Sequence, residues 1–151
     1  MLQTDLERYA NAPAVLVQIY VDRIVLHYPS STEYLTECAQ FSHPRSLLGD
    51  FSIAETTLTQ LLKRGGGGFK YLAPYMFIQA MERMEFGLTQ VEIRALQELG
   101  LSSGARAIAI YDETGKLLTP NSLPATINLK RLAMMGLIIT LFVLLCFLCA
   151  I

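Results

Sequence analysis

The last twenty residues, Leu132–Ile151, constrain this chain most, because they read LAMMGLIITLFVLLCFLCAI without a charged side chain. A helix of that length is about 30 Å long, which matches the hydrocarbon thickness of a bilayer. A soluble helix is seldom apolar on every face over such a length. We therefore predict a transmembrane tail anchor with the lipid bilayer as a partner; a buried C-terminal hairpin is the alternative.

The predicted orientation of the anchor depends on the charges beside it. Lys130 and Arg131 directly precede the span, and no charged residue follows it. The positive-inside rule then places residues 1–131 in the cytoplasm, and the N-terminal residues lack the apolar core of a signal peptide. The predicted membrane-anchor positions within the span are Leu132, Gly136, Leu141, Leu145 and Ile151.

Charge and cysteine content exclude two classes of protein. The 12 basic and 13 acidic residues leave a net charge of −1, and they are spread along the chain without a basic block. Non-specific nucleic-acid binding is therefore disfavoured. Of the three cysteines, Cys38 alone lies outside the predicted anchor. A single cysteine argues against a disulfide framework and for a reducing compartment.

The hydrophobic pattern predicts strands in the first part of residues 14–113. Alternating β-branched and aromatic residues predict paired strands over 14–22 and 23–28, with the turn between them at Asp22 and Arg23. Residues 33–39 fit a third strand or a helical turn. A helix over 53–64 should follow, with Ser52 and Glu55 as its capping box and Gly65 as a left-handed stop. Its apolar spacing places Ala54, Leu58, Leu61 and Leu62 toward the core.

The second part repeats a strand and a helix before a final strand. A strand is predicted over 75–79, and Thr89 with Glu92 forms a capping box for a helix that Gly100 closes. The apolar spacing of that helix places four residues toward the core of the domain: Val91, Ala95, Leu96 and Leu99. Residues 106–112 read as a buried strand.

Helix-separated strands imply at least one crossover and an α/β fold with a mixed sheet. The expected organisation is an N-terminal arm or short helix over 1–13, a domain over 14–113, a tether over 114–131 and the anchor over 132–151.

Three colinear segments resemble the N-terminal lobe of the bacterial actin (MreB) family. They are IYVDRIVLHYPSS from Ile19, LLGDFSIAETTLTQLLKR over 47–64, and GLTQVEIRALQELGLSSGARAIAIYDE over 87–113. The residues in register in the last segment are Thr89, Glu92, Arg94, Ala95, Gly104, Ala105 and Arg106. The resemblance implies paired strands, a helix, and then a helix with its following strand, in an actin-like or ribonuclease-H-like half-lobe. It also implies a bacterial inner membrane.

The phosphate-binding loop of that family has no counterpart in this sequence. The corresponding place reads YANAPAVLVQ, over 9–18, without the glycine that lets backbone approach an anion closely. The second lobe of the family is also missing. We therefore expect no nucleotide hydrolysis, no cofactor and no enzymatic activity.

Two further groups of residues are candidates for chemistry. The glycine run over 65–68 is flanked by basic residues, but it follows the end of a helix, where the dipole repels phosphate. A flexible connection is the preferred interpretation. His27, His43 and Cys38 lack the paired spacing of a zinc site, and nothing beside Cys38 indicates an activated thiol, so no metal and no catalytic residue is predicted.

The function expected from these features is that of a non-enzymatic, membrane-anchored cytoplasmic binding or regulatory module. Following the resemblance, its protein partner would be an actin-like filament or another part of the cell-shape machinery. Two alternatives stay open at this point. One is a homodimer that assembles a nucleotide-binding or enzymatic site, and the other is a membrane-active peptide that acts through the anchor. Homodimerisation without such a site is also open.

Overall fold

The computed structural model describes residues 1–29, 31–65, 73–82 and 87–118. Its elements in chain order are α1 (Leu2–Arg8), β1 (Ala14–Tyr20), β2 (Arg23–His27), β3 (Tyr34–Cys38), α2 (Phe51–Arg64), β4 (Tyr75–Ala80), α3 (Gln90–Ser102) and β5 (Ala107–Tyr111).

The strands form one five-stranded sheet in the order β3-β2-β1-β4-β5. Neighbouring strands are antiparallel from β1 through β3, whereas β1, β4 and β5 run parallel. The predicted α/β class with a mixed sheet is confirmed, and residues 34–38 are a strand rather than a helical turn. Parallel neighbours need crossover connections, and α2 and α3 supply them.

A two-residue turn, Val21–Asp22, joins β1 to β2 one position before the predicted boundary. Asp22 adopts a positive φ of 54°, a conformation that Asp tolerates better than most residues. The carboxylate of Asp22 accepts hydrogen bonds from the N–H of Ser42 at 2.8 Å and from its hydroxyl at 2.7 Å. The turn therefore needs no glycine, because the following loop holds it in place.

The main core lies between the sheet and the two long helices. Alternate residues of β1 and β4 point to this face, and Val17, Ile19 and Ile78 are fully buried. From α2 the core receives Ala54, Leu58 and Leu61, as predicted, while Leu62 packs against it partly buried. This cluster sets which face of the sheet the helices cover.

The opposite face of the sheet carries a second, aromatic cluster under α1. The ring of Tyr9 lies 4.7 Å from that of Tyr75 and 5.6 Å from that of Phe77, measured between centroids. Leu6 and Tyr111 complete the contact. Residues 2–8 thus form a helix packed on the sheet, because Leu2 and Leu6 pack against these aromatic rings and help to bury them.

The ends of α2 differ from the prediction. Asp50, not Ser52, is the N-cap residue, and its carboxylate accepts from the N–H of Ile53 at 3.0 Å. Gly65 has right-handed φ and ψ of −60° and −13°, so the predicted left-handed stop is wrong. The glycine instead makes room for Tyr28, since an added Cβ would collide with the ring of Tyr28 unless that ring shifted.

The start of α3 is as predicted, and Leu96 and Leu99 are buried as predicted, but Val91 is not in the core. Thr89 and Glu92 form the capping box, whereas Val91 is 76% exposed and Ile93 takes the buried position. Gly100 does not close the helix, which continues to Ser102. A Cβ at Gly100 would lie 2.6 Å from Ile108 Cδ1, so this glycine lets α3 approach β5 closely. Gly104, with φ of 95°, is the left-handed residue of this turn.

Candidate functional site

The predicted anchor positions lie outside the described residues. This applies to Leu132, Gly136, Leu141, Leu145 and Ile151, and to the orienting charges Lys130 and Arg131. Among the helices that the structure does describe, none combines the length and apolar content needed to cross a bilayer.

The carboxyl ends of the parallel strands form one edge of the domain, which we call the carboxyl edge. It contains the Val21–Asp22 turn, Glu82 after β4 and the turn that begins at Asp112. Strand connections leave β1 and β4 in opposite directions, so these two strands flank a topological switch point. Open α/β sheets bind ligands in the crevice outside such a point, which makes this edge the first place to look for a site.

A carboxylate of the chain itself accepts a main-chain donor at the switch point. Glu82 Oε2 accepts a hydrogen bond from the N–H of Val21 at 2.6 Å, and the N–H of Met81 donates to the carbonyl of Ile19 at 3.0 Å. A free backbone N–H between two strand ends is the kind of donor that binds a phosphate oxygen. Here that donor already has an anionic partner.

The helix N-termini at the same edge are also capped from within. The main chain at Asp50 donates to the carbonyl of Phe41, next to the Ser42–Asp22 contact, so α2 begins beside the first hairpin. The carboxylate of Asp50 and the Thr89–Glu92 pair then accept first-turn N–H groups of α2 and α3. These are the donors that would otherwise attract an anion.

The turn after β5 is a third internally bonded carboxylate site. Asp112 Oδ1 accepts from the N–H and hydroxyl of Thr114, at 2.9 and 2.6 Å, and from the N–H of Lys116 at 2.9 Å. Burial alone would raise the pKa of Asp112, but these hydrogen bonds and the charge of Lys116 outweigh it and lower the pKa below its ordinary value. Asp112 is therefore an ionised turn-forming residue.

Two glutamines connect β1, β4 and this turn across the sheet face under α1. Gln18 Nε2 donates to Gln79 Oε1 at 3.0 Å, and Gln79 Nε2 lies 3.2 Å from the carbonyls of Asp112 and Glu113. Gln79 is only 6% exposed. Its amide thus bonds the end of β5 to the centre of the sheet, which is a structural role.

Residues 9–18, where the resemblance would place a phosphate loop, do not lie between the first two strands. Residues 14–18 belong to β1, the central strand of the sheet. The connection between the first two strands is the Val21–Asp22 turn. The periodicity of residues 14–28 identified both strands, but it could not indicate which of them is central, because strand order depends on long-range pairing.

The histidines and Cys38 do not form a cluster. His27 lies opposite Tyr34 on β3, whereas Cys38 lies opposite Arg23, about 13 Å further along the strands. His43 lies in the loop that precedes α2. In the part of the chain that the structure describes, no group of three potential ligands could hold a metal ion. Of the glycine run, Gly65 alone is described, and it packs against Tyr28.

An apolar rim beside the carboxyl edge was not identified from the sequence. It consists of Phe51, Ile53 and Val91, which are 37%, 39% and 76% exposed and lie in the first turns of α2 and α3. Both helices begin at the same edge, because α3 ends where Arg106 N–H bonds the carbonyl of Pro74 at the opposite edge. The available signal was an apolar residue within two positions of each cap, Phe51 after Asp50 and Val91 after Thr89, but the helical periodicity assigned Val91 to the core.

No protein-family model matches this sequence, and no curated protein is similar to it.

Proposed function

We propose that this chain is a non-enzymatic binding module with a cytoplasmic domain that is held at the inner membrane by residues 132–151. The observation that carries the proposal is the internal bonding of the carboxyl edge. Glu82, Asp50 and Glu92 accept the N–H donors at the switch point and at both helix starts. A nucleotide phosphate approaching this edge would meet carboxylates, so a binding role fits the edge better than phosphoryl chemistry does.

The element order supports the proposed relationship to one lobe of a bacterial actin. The first resembling segment falls on the β1–β2 hairpin and its exit, the second on α2, and the third on α3 with β5. In the third segment Thr89 and Glu92 cap the helix, and Gly104 turns the chain toward β5. These residues have local structural roles, so the likeness supports a shared half-lobe more strongly than a shared activity.

The apolar rim is the surface proposed for the partner. Exposed apolar side chains near acidic groups favour a protein surface that is apolar at its centre and basic at its border. Asp50 and Glu92 lie in the same helix starts as Phe51 and Val91. The proposed partner is an actin-like filament or another component of the cell-shape machinery, as the resemblance implies.

The test is a crosslinking pull-down from the native membrane, followed by binding measurements on rim variants. Val91→Ser removes a rim side chain, and Leu101→Ser is its matched control, because Leu101 is 50% exposed at the other end of the same helix. We expect Val91→Ser to weaken partner capture by about fivefold or more, which is the scale of a contact residue. Leu101→Ser should leave capture unchanged.

A form that ends at Arg131 separates the domain from the anchor. We expect it to recover the same partner as the full-length chain, with lower yield because it is no longer confined to the membrane. Recovery of membrane proteins only, and by the full-length chain only, would place the function in the anchor. Equal capture by the Val91 and Leu101 variants would rule out the rim as the contact surface.

A further inference from the structure

The outer edge of β3 is a row of main-chain groups without a partner in the described structure. The N–H of Ala39 donates to the carbonyl of Asp22, and this bond shows which alternate residues of β3 direct their main-chain groups toward β2. Because pairing alternates along an antiparallel strand, Glu37 and Leu35 also bond to β2. Tyr34, Thr36 and Cys38 therefore direct their N–H and C=O groups outward, and no described residue bonds to them there.

Among the residues that the structure describes, this edge lacks the usual features that prevent pairing with another strand. Natural edge strands are blunted by lysine, proline, bulges or a covering segment. The strand YLTEC has no proline or lysine and pairs with β2 without a bulge. Its single charge, on Glu37, is compensated by an ion pair with Arg64 of α2. Tyr34 is 69% exposed.

The strand is also complementary to itself. If two β3 strands pair antiparallel about Thr36, each Thr36 lies opposite the other and Tyr34 lies opposite Cys38 of the second copy. All outward donors and acceptors of both strands are then used, in about six main-chain hydrogen bonds. Glu37 faces Leu35 of the second copy, so no like charges lie directly opposite, and threonine pairs are favourable across strands.

We infer that two copies of this chain associate through β3, in antiparallel register centred on Thr36, to form one continuous sheet. The strand is short, so the contact is expected to be weak in dilute solution. Anchoring both copies in one membrane would raise their effective concentration and favour the pair. The inference is independent of the proposed partner, since β3 and the apolar rim are separate surfaces.

A charge-swap experiment at Thr36 tests the register in full-length protein carrying two different tags. The side chain is exposed, so both variants should fold, and thermal melting checks this. Thr36→Lys or Thr36→Glu alone places like charges opposite and should weaken association about fivefold. Mixing the two variants should restore it. Equal association of the single variants and the mixture would overturn the inference.

Disulfide trapping gives a second measurement. In a background with Cys38, Cys146 and Cys149 changed to Ser, Thr36→Cys places two thiols opposite each other at a Cα separation of about 5.5 Å, within disulfide range. Thr56→Cys, at an exposed position on α2, is the matched control. We expect the disulfide-linked dimer with the first variant only. Equal trapping at both positions, or linkage of residue 36 to other proteins only, would overturn the inference.

Discussion

The hydroxyl of Tyr111, at the end of β5, donates a hydrogen bond to the carboxylate of Asp5 in α1, with 2.9 Å between the oxygens. This contact joins residues at opposite ends of the described chain. Burial is the larger cause, and the hydrogen bond to Asp5 the second, of a pKa of Tyr111 that lies above its ordinary value. The phenol therefore remains a donor at every physiological pH. Because Tyr111 belongs to the aromatic cluster and Asp5 to α1, the contact fixes α1 over Phe77 and Tyr75.

Removing this hydroxyl should loosen α1. We expect Tyr111→Phe to lower the free energy of unfolding by about 1–3 kcal/mol, since Asp5 then loses a donor in a partly buried place. Urea denaturation measures the change. Tyr34→Phe, which alters an exposed hydroxyl, should change stability by less than about 0.5 kcal/mol. Equal effects of the two substitutions would mean that the Tyr111 bond does not stabilise the fold.

The cap of α2 gives a prediction that separates two neighbouring residues. Asp50→Ala removes the carboxylate that accepts from Ile53 and should cost about 1 kcal/mol of stability. Ser52 lies inside the helix, so Ser52→Ala should change the free energy of unfolding by a few tenths of a kcal/mol at most, about the size of a helix-propensity difference. Denaturant midpoints of both variants provide the comparison. A larger loss from Ser52→Ala would restore the capping box first predicted from the sequence.

The Gln79 amide should matter more than that of Gln18. Gln79→Leu leaves the carbonyls of Asp112 and Glu113 without this donor, and we expect a loss of about 1–3 kcal/mol. Gln18→Leu removes an amide that donates to Gln79 and to the Met81 sulfur but leaves no main-chain carbonyl unpaired, so it should cost less. Thermal unfolding ranks the two variants, and the reverse ranking would contradict the bridging role of Gln79.

Stability should depend on Asp112 at acidic pH. The pKa of this carboxyl is lower in the folded chain than in the unfolded one, where it is about 3.9. The stabilisation is therefore complete above pH of about 4 and is lost as pH falls through the lower folded pKa. Asp112→Asn keeps an acceptor oxygen but does not titrate, so its unfolding free energy should fall less below pH 4. Parallel pH profiles for the two proteins would contradict this.

The titration of Asp112 can also be observed directly. An NMR titration of the carboxyl carbon should give a pKa below the ordinary aspartate value. Thr114→Val removes the hydroxyl donor at 2.6 Å and should raise that pKa toward the ordinary value. An unchanged pKa in this variant would mean that the hydroxyl does not contribute to the shift.

Residues with strong local signals were predicted correctly from the sequence. The alternation in 14–28 predicted β1 and β2, and the Thr89–Glu92 pair predicted the start of α3. Each signal acts within a few residues, so neighbouring side chains suffice to produce it. The same holds for the four predicted apolar positions of α2, all of which contact the core.

Errors arose where two local signals competed or where a residue's role depends on distant contacts. Ser52 and Asp50 are both good caps, and the bond from Asp50 N–H to Phe41 decides between them. Gly65 and Gly100 read as helix stops, but an added Cβ at either position would force the side chain of Tyr28 or Ile108 to shift. Neither neighbour is near its glycine in sequence.

The sequence by itself determined the order of β1, β2, α2, β4, α3 and β5, the mixed α/β class and the apolar stretch over 132–151, since these follow from composition and short-range periodicity. The tertiary structure decided that β1 is central, that β3 lies at an open edge and that carboxylates of the chain bond the donors of the carboxyl edge. These features depend on which strands pair and which loops meet, and such long-range contacts leave no fixed spacing in a single sequence.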